Sequence, residues 1–223
     1  MNIYLGIPMY GGAHGLTVSC LLASQKHLME LGHTVIVDIV AGGSILPKVR
    51  NGIVKRFIDS AADVLVFIDS DMVWEPETLL KLVNAPFDVS VANYRKRSNE
   101  VTWLAEPVYE DGEPLGKVHN GDIWLQTRRA GTGMMAIRRL TIKEMVGLLP
   151  DLVYEENGEC IPCLFDFELK DGQYHGEDYT FCRRLESIGG QIFILADAYI
   201  GHVGHTVYGG NYHEFLMGQR GAA

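Results

Sequence analysis

The chain has 223 residues, 47% of them hydrophobic and 21% charged, the size and balance of one large α/β domain with a real core. Its net charge of −9 argues against non-specific nucleic-acid binding, which needs a basic surface. Two basic clusters, Arg95-Lys96-Arg97 and Arg128-Arg129, are either solvated surface or a local patch for a nucleic-acid acceptor. No run approaches the ~20 apolar residues of a membrane span. The start, Met1-Asn2-Ile3-Tyr4-Leu5, reads as a strand rather than a signal peptide, so a cytoplasmic setting is expected. Four cysteines are too few for a disulfide framework. Cys160-Ile-Pro-Cys163 has no second pair to complete a zinc site and reads as structural.

Strands and helices alternate through the first half. Ile3 to Pro8 is a short apolar strand closed by Gly11-Gly12. Residues 17 to 31 carry Val18, Leu21, Leu22 and Leu28 at helical spacing, with Gly32 as a C-cap. Thr34 to Val40 is β-branched and continuous, as in a strand buried on both faces. A helix follows over 46 to 61, then the buried strand Val64 to Ile68, which runs directly into Asp69-Ser70-Asp71. Pro76 opens a helix near 77 to 84, and 89 to 93 is a further strand. This order predicts a mostly parallel central sheet with helices on both faces, and ligands beyond the carboxyl ends of its strands. Residues 99 to 128 suggest a short antiparallel excursion. Residues 134 to 137 read as a strand, 140 to 149 as a helix and 150 to 175 as a long loop. A helix over 178 to 188 and a strand over 191 to 195 complete the regular part, before a tail rich in Gly, His and Tyr.

Three polar features stand where such a sheet presents its ligands. Asp69 and Asp71 flank one residue at the end of a buried strand; they suit either a turn with capping acids or a hard divalent cation that shares its shell with phosphate and water. Gly176-Glu177-Asp178 opens a helix. Its acids either complement the helix dipole or supply a general base. His202 and His205 follow the last strand and are candidate metal ligands. Trp103, in the irregular region, is either a core residue or a sugar-stacking platform.

The ordered set Asp69-Ser70-Asp71, Gly131-Thr132-Gly133-Met134, Gly176-Glu177-Asp178-Tyr179 and His202-Val203-Gly204 resembles compact GT-A fold glycosyltransferases. It is similar to the family-2-like group, particularly the small versions of bacteriophages and large viruses, over roughly residues 3 to 205. The resemblance implies a single GT-A catalytic domain over 1–205, with a nucleotide-binding half (1–95) and an acceptor and catalytic half (96–205); the tail over 206–223, with Tyr208 and Tyr212, is either a lid over bound donor or a loosely packed terminus. It implies that Asp71 is the direct ligand of Mn²⁺ or Mg²⁺, with Asp69 supporting it beside the ribose and diphosphate. His202 joins the metal shell, with His205 as runner-up. Asp178 is the implied base of an inverting transfer, with Glu177 as accessory. Pro8, Asp38, Arg50 and Asn51 match the part that holds the nucleotide, and Gly131, Thr132 and Gly133 match the loop beside donor sugar and acceptor. The donor implied is a nucleotide-diphosphate sugar, with uridine diphosphate favoured.

The residues after Asp38 (Ile39-Val40-Ala41-Gly42-Gly43-Ser44) depart from the acidic pair that family-2 members carry there. The QxxRW-type motif of processive synthases is absent, which favours transfer of a single sugar. The acceptor stays open between glycan, protein and modified DNA base. Two other functions fit the same pattern less fully. A sugar nucleotidyltransferase needs a basic, glycine-rich loop that Ile7 to Gly12 lacks, and a non-catalytic carbohydrate or sugar-nucleotide binding module has no need of the acids.

Overall fold

A computed structural model describes residues 1–220. In chain order the first half runs β1 (Asn2–Met9), α1 (Gly15–Glu30), β2 (Thr34–Ala41), α2 (Leu46–Asp59), β3 (Val64–Ile68), β4 (Met72–Val73), α3 (Pro76–Asn84) and β5 (Val89–Ala92). The excursion comprises β6 (Tyr109–Glu110), β7 (Glu113–Pro114), β8 (Gly116–His119) and β9 (Asp122–Thr127). Then come β10 (Met134–Arg138), α4 (Arg139–Leu148), the hairpin β11 (Val153–Glu156) and β12 (Glu159–Pro162), and the hairpin β13 (Glu168–Lys170) and β14 (Gln173–His175). The chain continues with α5 (Glu177–Ser187), β15 (Ile192–Leu195), β16 (Tyr199–Val203), β17 (Val207–Asn211) and α6 (Tyr212–Arg220).

An eight-stranded sheet in the order β2-β1-β3-β10-β5-β15-β9-β8 forms the centre. Strands β1, β2 and β3 are mutually parallel, and β5 is parallel to β15. Strand β10 is inserted antiparallel between β3 and β5, and β9 runs antiparallel to β15. The fold is therefore α/β with a mostly parallel sheet by strand direction. Every residue of β3 is buried. Its Leu65 and Phe67 pack into the core beneath α2, α4 and α5, while Val64, Val66 and Ile68 pack into the opposite core with α1 and α3. An uninterrupted apolar run is what a strand covered on both faces requires.

The structure departs from the sequence pattern in three places. Strand β2 is largely β-branched and apolar but lies at the sheet edge, leaving Ile36 38% and Ile39 49% exposed; β-branched composition reports a pleated strand, not its place in the sheet. The long loop expected over 150–175 folds into the two hairpins, with Asn157 (φ 53°) and Asp171 (φ 52°) each followed by a glycine at positive φ in their turns. Asn-Gly and Asp-Gly are strong hairpin signals.

The third departure is the C-terminal segment. Residues 207 to 220, expected as a tail, form β17 against β16 and then α6. Tyr212 is buried, with its ring 4.9 Å from Trp103 and 6.1 Å from Phe215. That contact also takes Trp103 into the core at 8% exposure, the first of the two roles open to it. Residues 221–223 of the expected tail lie outside the described residues. Truncating a buried aromatic removes apolar area and leaves a cavity. Tyr212→Ala is therefore expected to cost about 3 kcal/mol in urea unfolding; a loss under about 1 kcal/mol would mean that α6 is not docked.

Candidate active site

The site is assembled at the carboxyl end of β3. Asp69 donates its backbone N–H to the carbonyl of Gly133 (3.0 Å), Ser70 accepts from the N–H of His14 (2.8 Å), and Asp71 accepts from the N–H of Val203 (2.8 Å). Three separate segments thus pin the Asp69-Ser70-Asp71 turn.

Beneath it lies Arg50 of α2, 1% exposed. Its Nη2 donates to Asp69 Oδ1 at 3.0 Å and its Nε to Glu177 Oε1 at 3.3 Å, while the guanidinium stands 5.4 Å from the Phe67 ring centroid. Burial works against the charge of Arg50, yet Asp69 and Glu177 together hold its pKa above the usual value. Among the described residues its Nη1 is buried without a hydrogen-bond partner. Arg50 therefore ties the end of β3 to the first turn of α5.

Asp178 stands next to Glu177 at that turn. Burial first, and then the negative charge of Glu177, push its carboxyl up to about 6 from 3.8; the Tyr179 N–H and Arg50 only partly oppose them. Its Oδ1 accepts from the Tyr179 N–H at 2.8 Å. A Cβ on Gly176 would lie 2.9 Å from that same oxygen, so this glycine makes room for the Asp178 carboxylate itself.

On the other side of the turn, Asp71 Oδ2 lies 3.1 Å from Arg97 Nη1 and 3.6 Å from His202 Nε2. Burial raises the Asp71 pKa, but His202 and Arg97 outweigh it and leave the carboxyl below its usual value. His202 Nδ1 is 3.0 Å from the Arg95 carbonyl. A carbonyl only accepts, so Nδ1 carries the proton, and in the neutral ring Nε2 presents a lone pair to Asp71. Two acceptors face each other, and a proton or a cation belongs between them. The pair fits a divalent metal in this respect. Among the described residues no third His, Cys, Asp or Glu completes a cluster with them, so the remaining positions would fall to phosphate and water.

Tyr94, just past β5, closes the back of the site. It is 5% exposed, its Oη accepts from the N–H of Gly133 (3.0 Å), and its ring meets that of His202 edge-on at 5.2 Å. A Cβ at Gly131 or Gly133 would lie 2.5 or 2.6 Å from Tyr94 Oη, so both glycines are required by the packing of Tyr94. Thr132 between them is buried.

Of the residues singled out in the sequence, the structure brings together Arg50, Asp69, Glu177 and Asp178, and beside them Asp71 and His202. His205 sits in the exposed turn between β16 and β17. Asn51 spends both ends of its amide on Phe165, donating to the carbonyl (2.8 Å) and accepting from the N–H (2.9 Å). Asp38 accepts from Tyr4 Oη (2.8 Å) and Arg56 Nε (2.9 Å). Pro8 pairs with Val40 in the β1–β2 register, and Val40 lines a groove of about 610 Å³ with Gly42, Ser44, Lys48 and Arg56 at the end of β2. Tyr94 and the contact of Arg97 with Asp71 carry no sequence signature; Arg97 reads as one more surface cation.

No family model matches the chain, and no curated protein matches it. Among solved structures, it is similar to a Drosophila beta-1,4-galactosyltransferase 7 mutant in complex with manganese, UDP-Gal and xylobiose, at 10% identity and TM-score 0.48 over 87% of this chain and 64% of that one. It is also similar to a glycosyltransferase involved in glycosylation of the major capsid of PBCV-1, at 8% identity and TM-score 0.35 over 64% of this chain and 63% of that one. A third likeness is to a CMP:2-keto-3-deoxy-manno-octonic acid synthetase complexed with CTP, at 12% identity and TM-score 0.42 over 99% and 97% of the two chains. The chain thus spans less than two thirds of the first two proteins.

The Asp178 carboxyl has a folded pKa of about 6 against 3.8, so its ionised form opposes folding. Below pH 4 the group is protonated in both states and costs nothing; the penalty grows between pH 4 and 6 and is complete above. Two units correspond to about 3 kcal/mol. Asp178→Asn is expected to stabilise the protein by roughly 1–3 kcal/mol at pH 8 and by nothing at pH 3.5. Denaturant unfolding at the two pH values checks this, and equal midpoints for both proteins at pH 8 would contradict it.

Proposed function

We propose that the protein is a metal-dependent glycosyltransferase that moves a sugar from a nucleotide-diphosphate sugar, with UDP favoured, to an acceptor hydroxyl with inversion. The observation that carries this reading is the facing pair of acceptors, Asp71 and His202 Nε2, at the carboxyl end of a central strand and beside a carboxyl whose pKa is about 6. Asp71 and His202 would hold the cation, with Asp69 supporting from its ion pair with Arg50. A divalent cation bound there would act as a Lewis acid toward the charge on the leaving diphosphate.

The chain's own residues account for the rest. The groove at the end of β2, with Arg56 and Lys48 in its wall, suits the nucleoside. The free Nη1 of Arg50 is a buried donor suited to an anionic oxygen. Asp178 takes the proton of the acceptor hydroxyl as its oxygen bonds to the anomeric carbon; the bond from that carbon to the phosphate oxygen breaks, and its electron pair leaves with the diphosphate. A base works best with a pKa near the operating pH, and burial beside Glu177 moves Asp178 in that direction. Arg97, now on Asp71, is the group a metal would displace.

Two measurements test this reading. Release of nucleotide diphosphate from a panel of UDP-, GDP- and TDP-sugars is expected to need Mn²⁺ or Mg²⁺, and calorimetry should show metal-dependent UDP binding that both Asp71→Ala and His202→Ala abolish. Metal-independent release or binding would contradict the metal assignment, and a protein that neither binds nor cleaves any donor would be no transferase. With a productive donor, kcat/KM should rise tenfold per pH unit up to about 6 and then level. Asp178→Asn should lower it by roughly 10²–10⁴-fold and remove that rise; a profile unchanged in Asp178→Asn would take the base role from this residue.

A further inference from the structure

A groove of about 420 Å³ begins at Tyr179, the residue after Asp178, and passes between the 103–108 loop and the end of β9. Tyr179 Oη donates to the Leu104 carbonyl at 2.9 Å, which fixes that wall. Three cations, Lys96, Arg128 and Arg129, line the groove against one acid, Glu106, in a chain whose net charge is −9. The groove continues into a second one of about 330 Å³, which shares Lys96, Trp103, Glu106 and Pro107 and adds Tyr109, Tyr212 and Phe215.

The basic triplet explains how charge comes to face this groove. Arg95 reaches the Gly209 carbonyl (3.4 Å) and Arg97 reaches Asp71 (3.1 Å). Lys96 alone of the three lines the groove, held by its backbone N–H on the Thr102 carbonyl (2.9 Å). The Arg129 guanidinium carbon stands 5.7 Å from the Tyr179 ring centroid. Among the described residues neither Lys96 nor Arg129 makes an ion pair, while Arg128 contacts Glu186 at 3.6 Å, where both side chains are largely exposed.

We propose that this groove receives the acceptor and that the acceptor carries a phosphate group, held between Lys96 and Arg129. The inference rests on the reading of Asp178 as base, since it is the adjacent Tyr179 that places the groove beside the reacting hydroxyl. A carboxylate is satisfied by one bidentate arginine. Two cations on separate segments, with a third beside them, match a group with more than one charge and three free oxygens. The body of the acceptor then lies along Pro107 toward Tyr109 and Phe215.

The test is an NMR titration of the full chain with methyl α-glucoside 6-phosphate, methyl α-glucoside and methyl glucuronide as probes, each with and without saturating UDP and Mn²⁺. The phosphorylated probe is expected to bind at least about tenfold more tightly than the neutral one, to remain bound with UDP present, and to weaken at least about tenfold in Lys96→Ala/Arg129→Ala. Displacement by UDP, wild-type binding by the double variant, or equally tight binding of the glucuronide would each overturn the proposal. Donor handling is read separately: phosphate binding in the groove of a protein that neither binds nor cleaves any donor would leave a phosphate site but overturn the transferase reading and the acceptor role together, whereas metal-dependent donor cleavage without such binding would overturn this proposal alone.

Discussion

The site depends on one buried charge. Arg50 has almost no contact with solvent, and a guanidinium cannot shed its proton to escape that. It is retained because Asp69 and Glu177 neutralise it from two different elements, and breaking such an arrangement by removing one partner costs about 3–5 kcal/mol. The end of β3 and the start of α5 are thereby held in one mutual position. Glu177 spends its charge on Arg50, and the next residue, Asp178, becomes the acid that carries the strain. It is buried beside a like charge, with Arg50 attending mainly to others. Burial and the charge of Glu177 then raise the Asp178 carboxyl against the partial opposition of Arg50, which suits the base role proposed for it.

The second half of the site follows a different logic. Asp71 faces outward from the same turn and meets His202 and Arg97, neither of which satisfies it as Arg50 satisfies Asp69. His202 is oriented by a backbone carbonyl, which turns its lone pair toward Asp71. Arg97 is half exposed and reaches Asp71 from a loop, so its contact is worth far less than the buried pair and is exchangeable. Asp69 is engaged by the buried Arg50, while Asp71 meets only a half-exposed arginine and the ring of His202. Tyr94 couples the two halves: it packs on His202 and occupies the space that side chains at residues 131 and 133 would take.

Much of this was legible in the sequence because it follows from local rules. The apolar run 64–68 ending in two acids signalled a buried central strand that delivers those acids at its carboxyl end, and Gly176-Glu177-Asp178 signalled a helix start. The antiparallel insertion of β10 was not legible, since strand direction is decided by the length and course of the connection rather than by composition. The edge position of β2 was hidden for the same reason. The hairpins within 153–175 were missed although Asn157-Gly158 and Asp171-Gly172 are sound turn signals; their strands are too short and too polar to show alternation. Asn51 and Asp38 show where pattern stops short of contacts. Both stand where a nucleotide is expected, yet their side-chain bonds go to Phe165 and to Tyr4 and Arg56. Tyr94 was invisible because its role comes from what it touches, and no spacing encodes that.

The most direct measurement of the central claim is the titration of the Asp178 carboxyl carbon by ¹³C NMR in the folded protein, assigned through Asp178→Asn. A midpoint near 6 is expected if burial beside Glu177 prepares this residue as the base. A midpoint near 4 would contradict the account, because Asp178 would then be an ordinary solvated acid at a helix start.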